Sequence, residues 1–399
     1  MAVPIPTDLA RLSEILEPAA PASPLPRRNA AVLPVLRPKL PAIEEILPYF
    51  RSIDERQWYS NWGPLTSELE QSLSRQLGLE RVCVVTTANA TAGLTAALLA
   101  LGLPRGSICV MPSWTFAATP HAARAAGLRP WFHDVDPQTW ALDPEAVRRT
   151  IGGIRNRVSA AVVVAPFGAP VDTASWEDFE DRTGIRVVID AAAAFDTVRA
   201  CRLPSVVSLH ATKILAAGEG GFVATTDSSL RDRIVACCNF GFQGSRSAML
   251  PALNGKMSEY HAAVGLASLA KWPATRARHI QIAAWYRRRM EGLPGVALQP
   301  GYGGWASGTT SPVLPIEAAR VSRRLRLLGV ETRSWWGMGC HLQPAFARCP
   351  RGPLAVTERL GMRVLGLPHF PEMRESDVDL VAGALAECLW TGPRAPMEV

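Results

Sequence analysis

No apolar run in the chain is long enough to cross a bilayer. Stretches such as residues 160–164 end after a few positions, where a spanning helix needs about 20. The N-terminus MAVPIPTDLARLSEILEP carries Asp8 and Glu14 and lacks the apolar core of a secretory signal, so a soluble cytoplasmic protein is expected, with no membrane partner. Eight cysteines are present in 399 residues, but none falls in a CxxC spacing and Cys237 adjoins Cys238. That gives no zinc pattern and fits thiols serving as small hydrophobes in a reducing compartment. Charge is sparse at 19%, against 48% hydrophobic residues, which excludes wholesale disorder. The net charge of +7 suits an anionic partner. Its densest clusters, Arg287–Arg288–Arg289 and Arg323–Arg324, lie in amphipathic helical patterns, so they read as solvated helix faces rather than a nucleic-acid surface.

What is present is an ordered alternation. Residues 1–41 form a Pro/Ala-rich arm, with seven prolines between 18 and 41, a density that prevents regular helix and weakens sheet pairing. The arm either wraps a partner subunit or is mobile. From about residue 42 short β-branched runs alternate with helical patterns: strands are expected at 81–87, 107–112, 128–136, 160–168, 185–193, 206–213 and 220–227, and helices at 90–102 and through 121–127. Fully apolar strands alternating with helices indicate an α/β fold with a mostly parallel sheet covered on both faces. Such sheets bind ligands at the carboxyl ends of their strands. A long helical pattern over 258–293, with Pro273 as a kink, leads out of this body. Mixed signals at 311–317, 318–329 and 378–389 then read as a smaller α+β domain. The expected division is a large domain over 42–275 and a small C-terminal domain over 276–399.

Three elements at strand ends carry chemistry. The turn ending in Ala88-Asn89-Ala90-Thr91 opens a helix whose first N–H groups and positive dipole suit a phosphate. A simple N-cap is the alternative reading of Thr91. Asp190 ends the apolar strand IRVVID, where an acid is costly to bury unless it meets a cation such as a protonated pyridine nitrogen; a helix cap is again the plain alternative. Lys213, in SLHATKILAAGEGG, follows a strand and is flanked by Ser208, His210 and a glycine cluster. An apolar pocket there would lower its pKa and free the amine to form a Schiff base, although most lysines are solvated surface groups.

These motifs resemble, in order, those of the DegT/StrS-type nucleotide-sugar aminotransferases, a pyridoxal-phosphate family of the aspartate-aminotransferase-like fold (fold type I). The likeness runs from about Ser60 to Pro371 through SNWGPLTSELEQSL, TTANATAGLTAAL, PSWTFAATPHAARAAGLRPWFHDVDPQTWALDP, VVIDAAAAFD, SLHATKILAAGEGGFVATTD, NFGFQG, NGKMSEYHAAVGLASL and CHLQPAF. It implies that Lys213 is the Schiff-base lysine and Asp190 the partner of the pyridine nitrogen. Trp114 would stack on the ring, and Ala90, Thr91 and Ser208 would hold the phosphate. Asn239 would reach the phosphate of a neighbouring subunit in a homodimer with shared active sites, and His341 would line the substrate pocket. Trp114 as plain core and His341 as an ordinary surface histidine are the structural alternatives.

Two positions depart from the family's pattern. Ala193 stands where the family has His or Gln near the cofactor's ring hydroxyl, and Phe167 where it often has His. The resemblance implies transamination of a nucleotide-linked keto-deoxysugar, with L-glutamate as amino donor and a 4-keto group preferred, in polysaccharide or other amino-sugar synthesis. Related sugar dehydratases carry histidine in place of the lysine, so Lys213 speaks against that chemistry. A non-catalytic homologue would have little reason to keep Asp190, Ser208 and Lys213 in register.

Overall fold

A computed structural model describes residues 32–79, 83–154 and 158–389. Residues 1–31 of the expected arm, the start of the strand expected at 81–87 and the final ten residues lie outside this range. The described chain begins α1(Ile43–Arg56), α2(Pro64–Gln76), β1(Val84–Thr87), α3(Ala90–Ala100), β2(Ile108–Pro112), α4(Ala118–Ala125), β3(Arg129–His133) and α5(Pro144–Ile151). It continues β4(Val158–Val164), α6(Thr173–Thr183), β5(Arg186–Asp190), β6(Ser205–Ser208), β7(Gly221–Ala224) and α7(Ser228–Cys238). The rest is helical: α8(Glu259–Ala270), α9(Trp272–Met290), α10(Ala318–Leu327), α11(Ala355–Arg363) and α12(Glu375–Leu389).

The seven strands form one sheet in the order β1-β7-β6-β5-β4-β2-β3. Its pairings are parallel except those of β7, which runs antiparallel to both β1 and β6. Side chains alternate between two apolar layers. Val84, Val110, Val187, Ile189, Val207 and Phe222 enter one core, while Val85, Met111, Val188, Val206 and Val223 enter the other. Strands buried on both faces explain why the sequence shows continuous apolar runs instead of polar alternation. Each buried Val or Ile contributes roughly 1.5–3 kcal/mol, so the sheet is the most rigid support available to a site on its edge.

Small residues set the helix boundaries. Asn89 caps α3 by accepting the amide of Ala92 at 2.8 Å. The pattern expected as one kinked helix over 258–293 is two helices meeting at Lys271. Pro273 has no N–H to give to a preceding carbonyl, and it sits in the first turn of α9, where none is required. Helix α9 crosses the boundary expected at 275/276: Trp272 packs in the core of the sheet, whereas Ile282, Tyr286 and Met290 join a separate apolar cluster with Val321, Leu367, Phe370 and Leu385. The strand-like segment 311–317 forms isolated bridges, Val313 with Ala297 and Val364, with no extended ladder among the described residues.

The described end of the arm packs on its own chain. Leu33 bridges Val330 in parallel, Val35 is buried and gives its amide to Glu331 at 3.0 Å, and Lys39 pairs with Glu372 at 3.0 Å.

Candidate active site

A cavity of about 870 Å³ opens where β4, β5 and β6 end, at the carboxyl edge of the sheet. Its floor holds Asp190 and Lys213. Asp190, the last residue of β5, is 5% exposed, and its carboxylate accepts from Thr119 Oγ1 at 2.7 Å and from the Ala192 amide at 3.2 Å. Burial raises its pKa above the ordinary carboxylate value; the Thr119 and Ala192 bonds and the charge of Lys213 oppose that rise. Lys213 lies beyond the end of β6. Burial lowers its pKa, and only the attraction of Asp190 works the other way. A buried acid and a buried amine thus face one space, each short of solvent. Thr119 itself receives a bond from Thr115, at 2.8 Å, so the carboxylate is held in one orientation.

The turn between β1 and α3 supplies the other end of the cavity. The first amides of a helix have no carbonyl four residues back to bond. Asn89 takes that of Ala92 through its side chain, and the regular ladder starts with Gly93 on the Asn89 carbonyl at 3.0 Å, which leaves the amides of Ala90 and Thr91 for a ligand. Ala90, Thr91 and Ser208 all line the cavity. Gly221 makes this approach possible. A Cβ there would stand 2.8 Å from the Ala90 nitrogen and 2.9 Å from the Val207 oxygen, both backbone atoms.

Two sequence expectations are corrected. Trp114 does not line the cavity. It is 2% exposed, with its ring edge-on to Phe167 at 6.4 Å and to Trp336 at 5.3 Å. Phe116, two residues on and 63% exposed, lines the cavity in its place. The Thr115 amide turns back onto the Ser113 carbonyl at 3.0 Å beyond the end of β2, and the larger indole takes the apolar side of that bend. His341 is likewise buried behind the wall rather than in it. Its Nδ1 pairs with Ser113 Oγ at 2.7 Å, and Nε2 lies 3.6 Å from Glu358. Burial, with the nearby charge of Arg351, lowers its pKa against the pull of Glu358. Asn239 does not line this chain's cavity; its amide oxygen accepts from Lys256 Nζ at 3.1 Å.

The opposite wall was not legible in the sequence. Leu36 from the arm, Phe167, Ile214, Thr309, Arg333, Trp335 and Trp336 form it. Phe167 adopts a left-handed backbone (φ 52°) and stacks on Trp336 with centroids 4.3 Å apart and planes 14° from parallel. Trp335 donates its indole N–H to Thr309 Oγ1 at 2.9 Å, and the Arg333 guanidinium lies over its ring at 5.3 Å. His210 and Glu219 also face the cavity, with His210 Nε2 3.7 Å from the glutamate. Ala193 presents a methyl group there and brings no hydrogen-bonding side chain.

Residues 42–386 match the DegT/DnrJ/EryC1/StrS aminotransferase family. The chain belongs to that family. Among its relatives, Protein Rv3402c of Mycobacterium tuberculosis strain H37Rv is 31% identical over 371 residues, 89% of this chain and 90% of the relative. A dTDP-4-amino-4,6-dideoxy-D-glucose transaminase of Escherichia coli is 31% identical over 281 residues, 68% of this chain and 74% of its own. The crystal structure of DesI, solved in the presence of its TDP-sugar product, superposes with a TM-score of 0.81 at 33% identity, covering 91% of this chain and 94% of DesI. The aminotransferase TlmJ of Streptoalloteichus hindustanus gives 0.79 at 26% identity, covering 90% and 98%.

Aminotransferases of this family depend on pyridoxal phosphate, and the floor of the cavity fits that cofactor. It offers a buried carboxylate whose pKa burial raises, a buried lysine whose pKa burial lowers, and a glycine-spaced helix terminus with two amides to give. The fold is that of the fold type I aminotransferases. No helix among the described residues is long and apolar enough to cross a membrane.

Proposed function

We propose that this aminotransferase moves an amino group from an amino acid, L-glutamate first among donors, onto the keto carbon of a nucleotide-linked deoxysugar. The observation that carries the proposal is the joining, in one 870 Å³ space, of the Asp190–Lys213 floor to an aromatic wall with one arginine. The relatives support the sugar: one is named for a dTDP-linked 4-amino-4,6-dideoxyglucose, and another was crystallised with a TDP-sugar. They also favour a 4-keto position. An aromatic wall suits the apolar face of a deoxygenated sugar, and Arg333 suits an anionic group on either substrate.

When bound, pyridoxal phosphate supplies an aldehyde that takes up an amino group and a ring that draws electrons from the neighbouring carbon. Asp190 would hold a proton on the ring nitrogen, with Thr119 fixing the carboxylate. Ala90, Thr91 and Ser208 would hold the phosphate, and Phe116 would cover one ring face. Lys213, its pKa lowered by burial, would take the proton from the donor's α-carbon and later deliver one to the sugar's keto carbon. One base for both directions accounts for a single lysine on the floor.

A homodimer with shared sites is part of this reading. Phe240, next to Asn239, and Met249, whose amide bonds the Gly241 carbonyl, are exposed large hydrophobics, and Asn239 of one copy would reach the phosphate bound by the next. The eight free cysteines agree with a cytoplasmic setting. The division into a large domain over 42–275 and a small one over 276–399, within a pathway of amino-sugar or polysaccharide synthesis, completes the proposal.

The test is the visible absorption of the cofactor-loaded protein. L-glutamate should bleach it, a keto-sugar nucleotide should restore it with an amino sugar as product, and Lys213→Ala should abolish both responses. Consumption of the sugar without nitrogen incorporation would overturn the reading in favour of a dehydratase.

A further inference from the structure

Behind the aromatic wall lies a buried polar network that the proposed chemistry does not use. His279 on α9 and His369, after the Leu367 bridge, are 4% and 0% exposed, with rings stacked at 5.2 Å and 13°. His369 Nε2 meets His279 Nδ1 at 3.1 Å, and His369 Nδ1 meets Thr310 Oγ1 at 2.9 Å. Thr310 Oγ1 lies 2.5 Å from the Tyr302 hydroxyl. At the far end, the Ser307 backbone lies by the His279 ring and favours a proton there.

The buried Tyr302 hydroxyl finds acceptors only in Thr310 and His369 among the described residues, which sets the order of the protons. Tyr302 gives its hydroxyl to Thr310, Thr310 gives its own to His369, and His369 gives its Nε2–H to His279, which leaves the His279 Nε2–H to face the Ser307 backbone. The relay is complete with both imidazoles neutral. A second proton on His279 would set its Nδ1–H against the Nε2–H of His369, and one on His369 would require the Thr310 and Tyr302 hydroxyls to turn round. The groups packed around the pair agree. Burial lowers both pKa values, His279 to about 4, and Arg278 adds to the effect, while Glu372 opposes it weakly at His279. Tyr286, whose ring lies parallel to His369 at 6.4 Å, gives its hydroxyl to the Pro368 carbonyl and stays outside the relay.

Ser307 and His369 both hold wall residues. The single proton of Ser307 Oγ is shared between the Phe167 carbonyl at 3.0 Å and the Thr309 carbonyl at 2.9 Å. Thr309 in turn fixes Trp335. The His369 amide takes the Val35 carbonyl at 3.1 Å, next to Leu36. Phe167, Gly308, Thr309, Trp335 and Leu36 all line the cavity.

We propose that His279 and His369 are positioning residues, whose one-way relay fixes the turn from Ser307 to Thr310 and thereby the Phe167–Trp335 wall that receives the keto substrate. This rests on the sugar-aminotransferase reading for the identity of that substrate. The test has two arms on the full-length, cofactor-loaded enzyme. Nitrogen NMR of labelled histidine should show both residues as neutral Nε2–H tautomers that do not titrate from about pH 8 to pH 5.5. A charged ring, or a proton on Nδ1 of either residue, would overturn the relay. In kinetics, His279→Leu should raise KM for the keto-sugar nucleotide about tenfold, as expected for one buried hydrogen bond lost, with the rate of bleaching by glutamate changed less than about twofold. His279→Gln keeps an acceptor towards His369 and a donor towards Ser307, so it should recover most of the loss. Equal losses in both half-reactions, or no recovery by glutamine, would overturn positioning in favour of general structural support. The NMR arm needs no sugar, so failure of the relay and failure of the sugar assignment are seen separately.

Discussion

Gly221→Ala tests the phosphate cradle most directly. The added methyl would sit 2.8 Å from the Ala90 nitrogen, 2.9 Å from the Val207 oxygen and 3.0 Å from the Ala90 Cα. All three are backbone atoms, so no side-chain rotation relieves the overlap. Gly221 is also paired on both sides, with Thr87 of β1 and Ser208 of β6. Relief therefore requires the start of α3, or the β6–β7 pair, to move by several tenths of an ångström. Overpacking of this kind costs about 1–3 kcal/mol of stability. The larger effect falls on the ligand, because the displaced groups are the Ala90 amide and Ser208. A hydrogen bond to a charged acceptor is worth about 1.5–3 kcal/mol, so loss of one should weaken cofactor binding by about 10- to 100-fold. Titrating the cofactor-free variant with pyridoxal phosphate, followed by absorbance and by urea unfolding, reads both quantities. Unchanged affinity together with lowered stability would show that the phosphate does not sit at this helix terminus, and the reasoning would fail.

Three further outcomes are expected. Phe116→Ala should weaken cofactor binding with little change in unfolding free energy, whereas Trp114→Ala should cost about 3–5 kcal/mol of stability, because the indole is core; the reverse pattern would restore Trp114 to the ring face. Glu259→Gln should destabilise by about 2–4 kcal/mol in denaturant titrations, since this buried carboxylate accepts the Leu65 amide at 2.7 Å, the Thr66 amide at 2.9 Å and the Thr66 hydroxyl at 2.8 Å at the start of α2. Acid should weaken the fold through His279: its pKa falls from 6.5 in the unfolded chain to about 4 in the folded one, so below pH 6.5 the unfolded chain takes up a proton that the folded one refuses. The stability from keeping it neutral is full above pH 6.5 and disappears as pH falls towards 4, about 2 kcal/mol of it by pH 5. The loss between pH 7 and 5, read from unfolding midpoints, should shrink by that amount in His279→Gln.

Strands β1 to β7 and the residues at their ends were legible because a strand buried on both faces writes its position as an apolar run. Asp190 stands out for the same reason: a charge ending such a run needs a partner. Lys213, Ser208 and the turn to Ala90 follow from their place at or just beyond strand ends, with no knowledge of what faces them. The antiparallel course of β7 was not legible, since four apolar residues read alike in either direction. Pro273 marked a discontinuity, but a kink and a helix start share that signal.

The substrate wall belongs to tertiary structure alone. Leu36, Phe167, Thr309 and Trp335 are separated by tens to hundreds of residues and carry no shared pattern; the cavity brings them together. The exchange between Trp114 and Phe116 has the same origin. Two aromatics flanking one threonine are equivalent in sequence, and only the bend after β2, with an apolar pocket on one side of it, decides which ring is buried. The buried histidine pair is a third case, because its neutrality depends on Ser307, Thr310 and Tyr302 arriving together from different parts of the chain. Local patterning therefore determined the sheet and the chemistry on its edge, where burial and chain direction suffice. Long-range packing decided what surrounds that chemistry, because recognition depends on which side chains meet across space.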